Sequence, residues 1–87
     1  MNYSYSCEVH RKDKDTGEPY TLFFKFEMSN NARIAQAYMV VTNPDGSPSE
    51  VDVTNALGMV FTNDEIFEIE YAAFDAWKSE HKIVVNL

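Results

Sequence analysis

The sequence predicts an α+β domain in which an antiparallel sheet of four to five strands packs against one main C-terminal helix. Three observations predict it. Short runs in the first half alternate apolar and polar side chains, the pattern of half-buried strands. Charged or Gly/Pro-rich segments, RKDKDTGEP and NPDGSPS, separate those runs. The later run NDEIFEIEYAAFDAW carries a helix start and apolar residues at helical spacing. At 87 residues, residues 1–87 form a single compact domain, with no repeat, linker or low-complexity tract to divide them.

The first strand places Tyr3, Tyr5, Cys7 and Val9 on one side and Ser4, Ser6, Glu8 and His10 on the other. After the loop RKDKDTGEP the alternation returns from Tyr20, with Leu22, Phe24, Phe26 and Met28 opposite Thr21, Lys25 and Glu27. Phe23 interrupts the polar row, which suits a central strand or one covered on both sides. The two strands form an antiparallel hairpin. A third strand spans about Ile34 to Thr42, with Ile34, Tyr38 and Val40 on one side and Ala35, Ala37, Met39 and Val41 on the other. A short helix from Asn30, capped by Ser29, competes with it, but the β-branched end favours a strand. NPDGSPS is a turn, with Pro44 at its second position and Gly46 free to take positive φ. Glu50 to Thr54 is the return strand. ALGMVF is a connector or a continued strand, bent at Gly58. The tail KIVVNL, with Ile83, Val85 and Leu87 on one row, reads as a final edge strand.

Residues 66–71 are the ambiguous stretch. Phe67-Glu68-Ile69-Glu70-Tyr71 alternates as a strand would. The wider window favours a helix from about Asn63 to Glu80. Thr62 and Glu65 have capping-box spacing. Asp64 and Glu65 suit the positive end of the helix dipole, and Lys78, His81 and Lys82 its negative end. On a wheel of about 100° per residue, Ile66, Ile69, Ala73, Phe74 and Trp77 share one face, and Glu68, Ala72, Asp75 and Ser79 the opposite one. Glu70 then falls inside the apolar stripe, where a carboxylate needs a partner. Lys25 and Arg33 are its candidates. The rival is a strand through Tyr71 and a shorter helix from Ala72 to His81.

The net charge of -7 is uneven. Residues 1–30 carry five acids and four bases, whereas residues 61–87 carry six acids and two bases. Such a surface repels phosphate backbones and argues against direct nucleic-acid binding. It suits a protein partner with a basic surface, and it also serves solubility. The lone Cys7 allows no intrachain disulfide and fits a reducing compartment. The N-terminus lacks a signal-peptide pattern, and nothing approaches the ~20 apolar residues of a membrane span. A cytoplasmic location is the expectation, with no membrane partner.

No arrangement demands catalysis, a metal or a cofactor. Glu70 with His10 and His81 would make a hydrolytic or metal site only if the three converged; HExxH spacing is absent. Asp13 to Glu18 departs from a calcium loop, with Gly17 one position early and basic neighbours. Cys7 lies on the inward row, opposite His10, which favours a core thiol over a nucleophile. No glycine-rich phosphate loop is present.

The expectation is therefore a small, acidic, non-enzymatic protein that binds another protein, with Asp64, Glu65, Glu68, Asp75, Tyr3, Tyr20 and Phe23 as its interaction surface. Glu80 is a further candidate on the same helix. Its extreme form is a phage-type inhibitor that occupies the basic groove of a host nucleic-acid-binding protein. The alternative is a structural or assembly subunit that forms a homo-oligomer through sheet edges.

Overall fold

The structure is a computed structural model and describes residues 2–80. Four strands, β1 (Tyr3–Lys12), β2 (Pro19–Met28), β3 (Ile34–Thr42) and β4 (Pro48–Asp52), form an antiparallel meander in the order β1-β2-β3-β4. A single 3-10 turn, Thr54–Ala56, and a short helix α1, Leu57–Val60, lead to the main helix α2, Asn63–Glu80. The expected α+β architecture is thus a four-stranded sheet with one main helix. The expected strand KIVVNL lies outside the described residues.

Each turn has a local cause. At the first, the Asp13 carboxylate accepts the N–H groups of Asp15 and Thr16 at 2.8 and 3.0 Å. Those two backbone donors hold its pKa below the usual carboxylate range. The carboxylate serves the turn, and the strands extend further into the charged loop than alternation alone implied. At the third turn Gly46 takes a φ of 87° and Asp45 accepts the Ser47 N–H at 2.9 Å.

The β2–β3 connection corrects one expectation. The register shifts between Glu27 and Met28, so Glu27 faces Gln36 but Met28 faces Ile34. Ala35 is the extra residue of a bulge. Ile34 therefore packs against the core with Ala37 and Met39, rather than standing with Tyr38 and Val40.

The segment ALGMVF is a connector, the first of its two expected forms, and not a continued strand. Asp52 Oδ1 accepts the Thr54 N–H at 2.9 Å, and the Thr54 hydroxyl accepts the Ala37 N–H at 2.9 Å. These bonds end β4 and turn the chain across the sheet. α1 then delivers Phe61, only 4% exposed, into the core.

That core lies between the sheet and α2. Phe24, Phe26 and Met28 of β2 are its floor, Ala37 its flank, and Phe61 and Ala73 its roof. The Phe24 and Phe61 rings meet at 5.1 Å between centroids, tilted by 59°, within the range aromatic pairs prefer. β2 is central, as its apolar richness implied, yet only one sheet face is covered among the described residues. Phe23 remains 48% exposed on the other face.

Candidate interaction surface

Helix α2 starts as its sequence indicated. Glu65 Oε1 accepts the Thr62 N–H at 2.9 Å, and Thr62 Oγ1 accepts the Glu65 N–H at 3.2 Å. This reciprocal pair satisfies two donors that the first helical turn leaves without intrahelical partners. Glu65 also binds Arg11 of β1 at 2.9 Å. The Thr62 backbone donor, then the Arg11 guanidinium, hold its carboxyl below the ordinary range. Arg11 in turn lies 5.7 Å from the centre of the Phe61 ring. Glu65 is thus committed within the chain, joining the start of α2 to the end of β1.

Glu70, the awkward residue of the helical wheel, does face inward, and it has a partner. Its side chain is 11% exposed. Oε2 accepts the Ile34 N–H at 2.9 Å, and Oε1 lies 3.4 Å from Arg33 Nη1. The bulge makes this possible, because it displaces Ile34 from the regular ladder beside Met28. Of the two cations considered, Arg33 takes the role; Lys25 instead pairs with Glu50 at 3.3 Å and Glu27 at 3.7 Å. Glu70 is a structural clamp between α2 and the start of β3.

Three carboxylates remain on the outer face of α2. Asp64, Glu68 and Asp75 are exposed and take no hydrogen bond or ion pair among the described residues. They fall within about 40° of one another on the helical wheel and span roughly 16 Å of axis. Beside them runs a row of aromatics: Phe67 is 62% exposed, Tyr71 68% and Phe74 37%. Lys78 Nζ stands 5.5 Å from the centre of the Phe74 ring. Sequence reasoning missed this row and placed Phe74 in the inward stripe. The wheel itself held the signal for the others, since Phe67 and Tyr71 lie well away from Ile66, Ile69 and Ala73.

The seven residues expected to form one surface are not brought together. Asp64, Glu68 and Asp75 line the outer helix. Glu65 points to β1. Tyr20 is 46% exposed on the helix-side row of β2, and Phe23 lies on the opposite face. Tyr3 is a correction: it is half-buried, stacked 5.5 Å from Trp77. Its inward parity on β1 sends the ring under α2. Burial, then the nearby negative charge of Glu70, raise its phenol pKa.

His10 and Glu70 do not converge. His10 Nδ1 lies 3.2 Å from the Thr21 hydroxyl on the open face of the sheet, while Glu70 is engaged under the helix on the other face. His81 lies outside the described residues. Cys7 is half-buried in the helix-side row, and burial raises its thiol pKa, the reverse of what activates a nucleophile. Among the described residues no cluster of acids, His or Cys is arranged to hold a metal ion, and no helix is long and apolar enough to cross a membrane.

Among the described residues three concave surfaces flank α2, one of them, about 350 Å³, between its last turns and the start of β1 beside Tyr3, Ser6, Ala76 and Trp77. A groove of about 440 Å³ runs between α2 and β1, lined by Tyr5, Cys7, Val9, Glu68, Ile69 and Ala72 among others. A smaller one, about 210 Å³, lies between α2 and the β2–β3 loop and includes Phe67, Tyr71 and Phe74. Comparison of the chain with protein-family models, with characterised proteins and with solved structures finds no match.

Proposed function

We propose that this chain is a small acidic protein that docks on a basic surface of another protein and modulates it without chemistry of its own. One observation carries the reading: among the described residues Asp64, Glu68 and Asp75 stand unpaired in a line on α2 beside the exposed rings of Phe67, Tyr71 and Phe74. Several other acids are engaged, although Asp15, Glu18 and Glu80 also have no side-chain partner among the described residues. Glu65 and Glu70 hold Arg11 and Arg33, Glu27 and Glu50 hold Lys25, and Asp45 and Asp52 hold turns. Carboxylates without a hydrogen bond or ion pair among the described residues are available to a cationic partner, and aromatics beside them provide the apolar contact area typical of interfaces.

The partner class that fits is a protein with a basic groove, such as a nucleic-acid-binding protein, whose inhibitor this chain would be. The test is affinity capture from the native host lysate with wild-type protein and with the double variant Glu68→Lys/Asp75→Lys. The expected partner binds the wild type, is released by raised salt and by excess duplex DNA, and does not bind the double variant. A partner insensitive to salt and to both substitutions overturns the reading. The second reading, an assembly subunit joined through sheet edges, has one observation in its favour. β1 is a ten-residue strand at the edge of the sheet.

A further inference from the structure

The two edges of the sheet differ. β4 has five residues, begins at Pro48 and carries Glu50 and Asp52, all features that discourage pairing. β1 has ten residues without proline, and its register against β2 is unbroken from Tyr3 to Lys12. Between Tyr3 and Val9 its only charge is Glu8.

The hairpin end shows which backbone groups β1 leaves open. Asp13 N–H donates to the Glu18 carbonyl at 2.9 Å. Hydrogen-bonded pairs alternate along an antiparallel ladder, so odd-numbered residues of β1 bond to β2. Pro19 opposite Lys12 agrees, since a residue without an N–H fits a non-bonded pair. The N–H and C=O groups of Ser4, Ser6, Glu8 and His10 therefore point away from the sheet.

Beside this edge lies the 440 Å³ groove. Tyr5, Cys7 and Val9 are its floor, Ile69 and Ala72 its wall, and the Arg11–Glu65 pair closes one end. A strand laid beside β1 would sit ~4.8 Å away. One row of its side chains would enter the groove, and the other would face the open side of the sheet. The groove floor suits short apolar side chains. Its rim carries Glu68, which has no partner among the described residues, and Glu8, an exposed carboxylate 3.8 Å from His10 Nε2.

We propose that the β1 edge takes up an extended segment of the basic partner, with small apolar side chains in the row facing α2 and lysine or arginine around them. The added strand supplies main-chain affinity, and Glu68 and Glu8 supply the preference for cations. This rests on the docking reading above and adds a second contact, separate from the outer face of α2. A second copy of the chain is the poorer occupant. Pairing β1 with itself would bring together two chains of net charge -7 and set the Glu8 residues of both near one edge.

The probe is a short fluorescein-labelled peptide alternating lysine with valine, with a glutamate-for-lysine counterpart as control. Binding is read by anisotropy and by amide hydrogen exchange in the full chain. The lysine peptide should slow exchange at Ser6, Glu8 and His10 by at least about tenfold, and the glutamate peptide should not. Glu68→Lys should weaken binding about tenfold at low salt. Ser6→Pro removes an outward N–H without taking a bond from the β1–β2 ladder and should abolish binding; Ala72→Trp, which fills the groove from an exposed position, should do the same if the proline variant does not fold. Asn55→Lys, an exposed position beside β3 and β4 and outside the groove, should leave peptide binding unchanged. Binding that survives both Ser6→Pro and Ala72→Trp overturns the proposal. So does protection of these amides without peptide, whether in the monomer, where the chain covers its own edge, or rising with protein concentration, where a second copy does. A natural partner lost with Asp75→Lys but retained with Ser6→Pro removes strand addition and leaves the docking reading standing.

Discussion

Removing the Glu70 carboxylate should destabilise the protein out of proportion to its single ion pair. Glu70→Ala leaves the Ile34 N–H without its acceptor in a part-buried setting, and the lost bond was a charged one at 2.9 Å. Such a loss costs about 1.5–3 kcal/mol. The Arg33 contact adds little. Its distance is 3.4 Å and Arg33 is 64% exposed, so solvent screening keeps the pair below ~0.5 kcal/mol. Glu70→Gln keeps an oxygen for the Ile34 N–H and loses only the charge assistance, about 1 kcal/mol. For a domain of this size ~1 kcal/mol corresponds to a Tm change of about 4–8 °C. The expected order is a fall of about 6–24 °C for Glu70→Ala, about 4–8 °C for Glu70→Gln and under ~4 °C for Arg33→Ala. Calorimetry of the three variants, with urea unfolding to confirm a two-state transition, measures it. Arg33→Ala matching Glu70→Ala would refute the reasoning, because the ion pair and not the backbone clamp would then be the stabilising contact.

Thr62→Ala should cost ~1 kcal/mol by urea unfolding, through loss of the helix N-cap, with no change in the fold seen by circular dichroism. Acid should unfold the protein: Glu65, Asp13, Asp45 and Asp52 have folded-state pKa values lowered chiefly by hydrogen bonds to their carboxylates. Their contribution is complete above about pH 5, clear of the unfolded carboxylate values, and is lost as pH falls through those values towards the lowered ones. A Tm measured from pH 7 downwards should hold and then fall across that window. Cys7 should react with a thiol reagent at least about tenfold more slowly in the native protein than in denaturant, since burial disfavours its thiolate. Equal rates would place it on the surface.

Much of the architecture could be read from residue order because the determining physics is local. Alternation in Tyr3 to Val9 and Leu22 to Met28 is a two-residue period, and it told which side chains would face a core before any partner was known. Thr62 and Glu65 act across one helical turn, so their bonds were legible from spacing alone. The bulge at Ala35 was not. It depends on which residues of β2 and β3 pair, and a single extra residue moves Ile34 to the other face. The row Phe67, Tyr71 and Phe74 was obscured because large aromatics raise the expectation of burial, while exposure depends on how far the sheet extends beneath the helix.

By itself the sequence determined the strands, the turns at Asp13 and Gly46, the boundaries of α2 and an acidic excess concentrated towards the C-terminus. Each rests on periodicity, backbone freedom or charge within a few residues. Only the tertiary structure decided which acids are engaged and which are not. Glu65 and Glu70 met Arg11 and Ile34 through packing between segments distant in sequence, while Asp64, Glu68 and Asp75 met no partner among the described residues. It also decided that β1, not β4, is the long edge left unpaired among the described residues, because strand order follows from how the whole sheet buries Phe24, Phe26 and Met28.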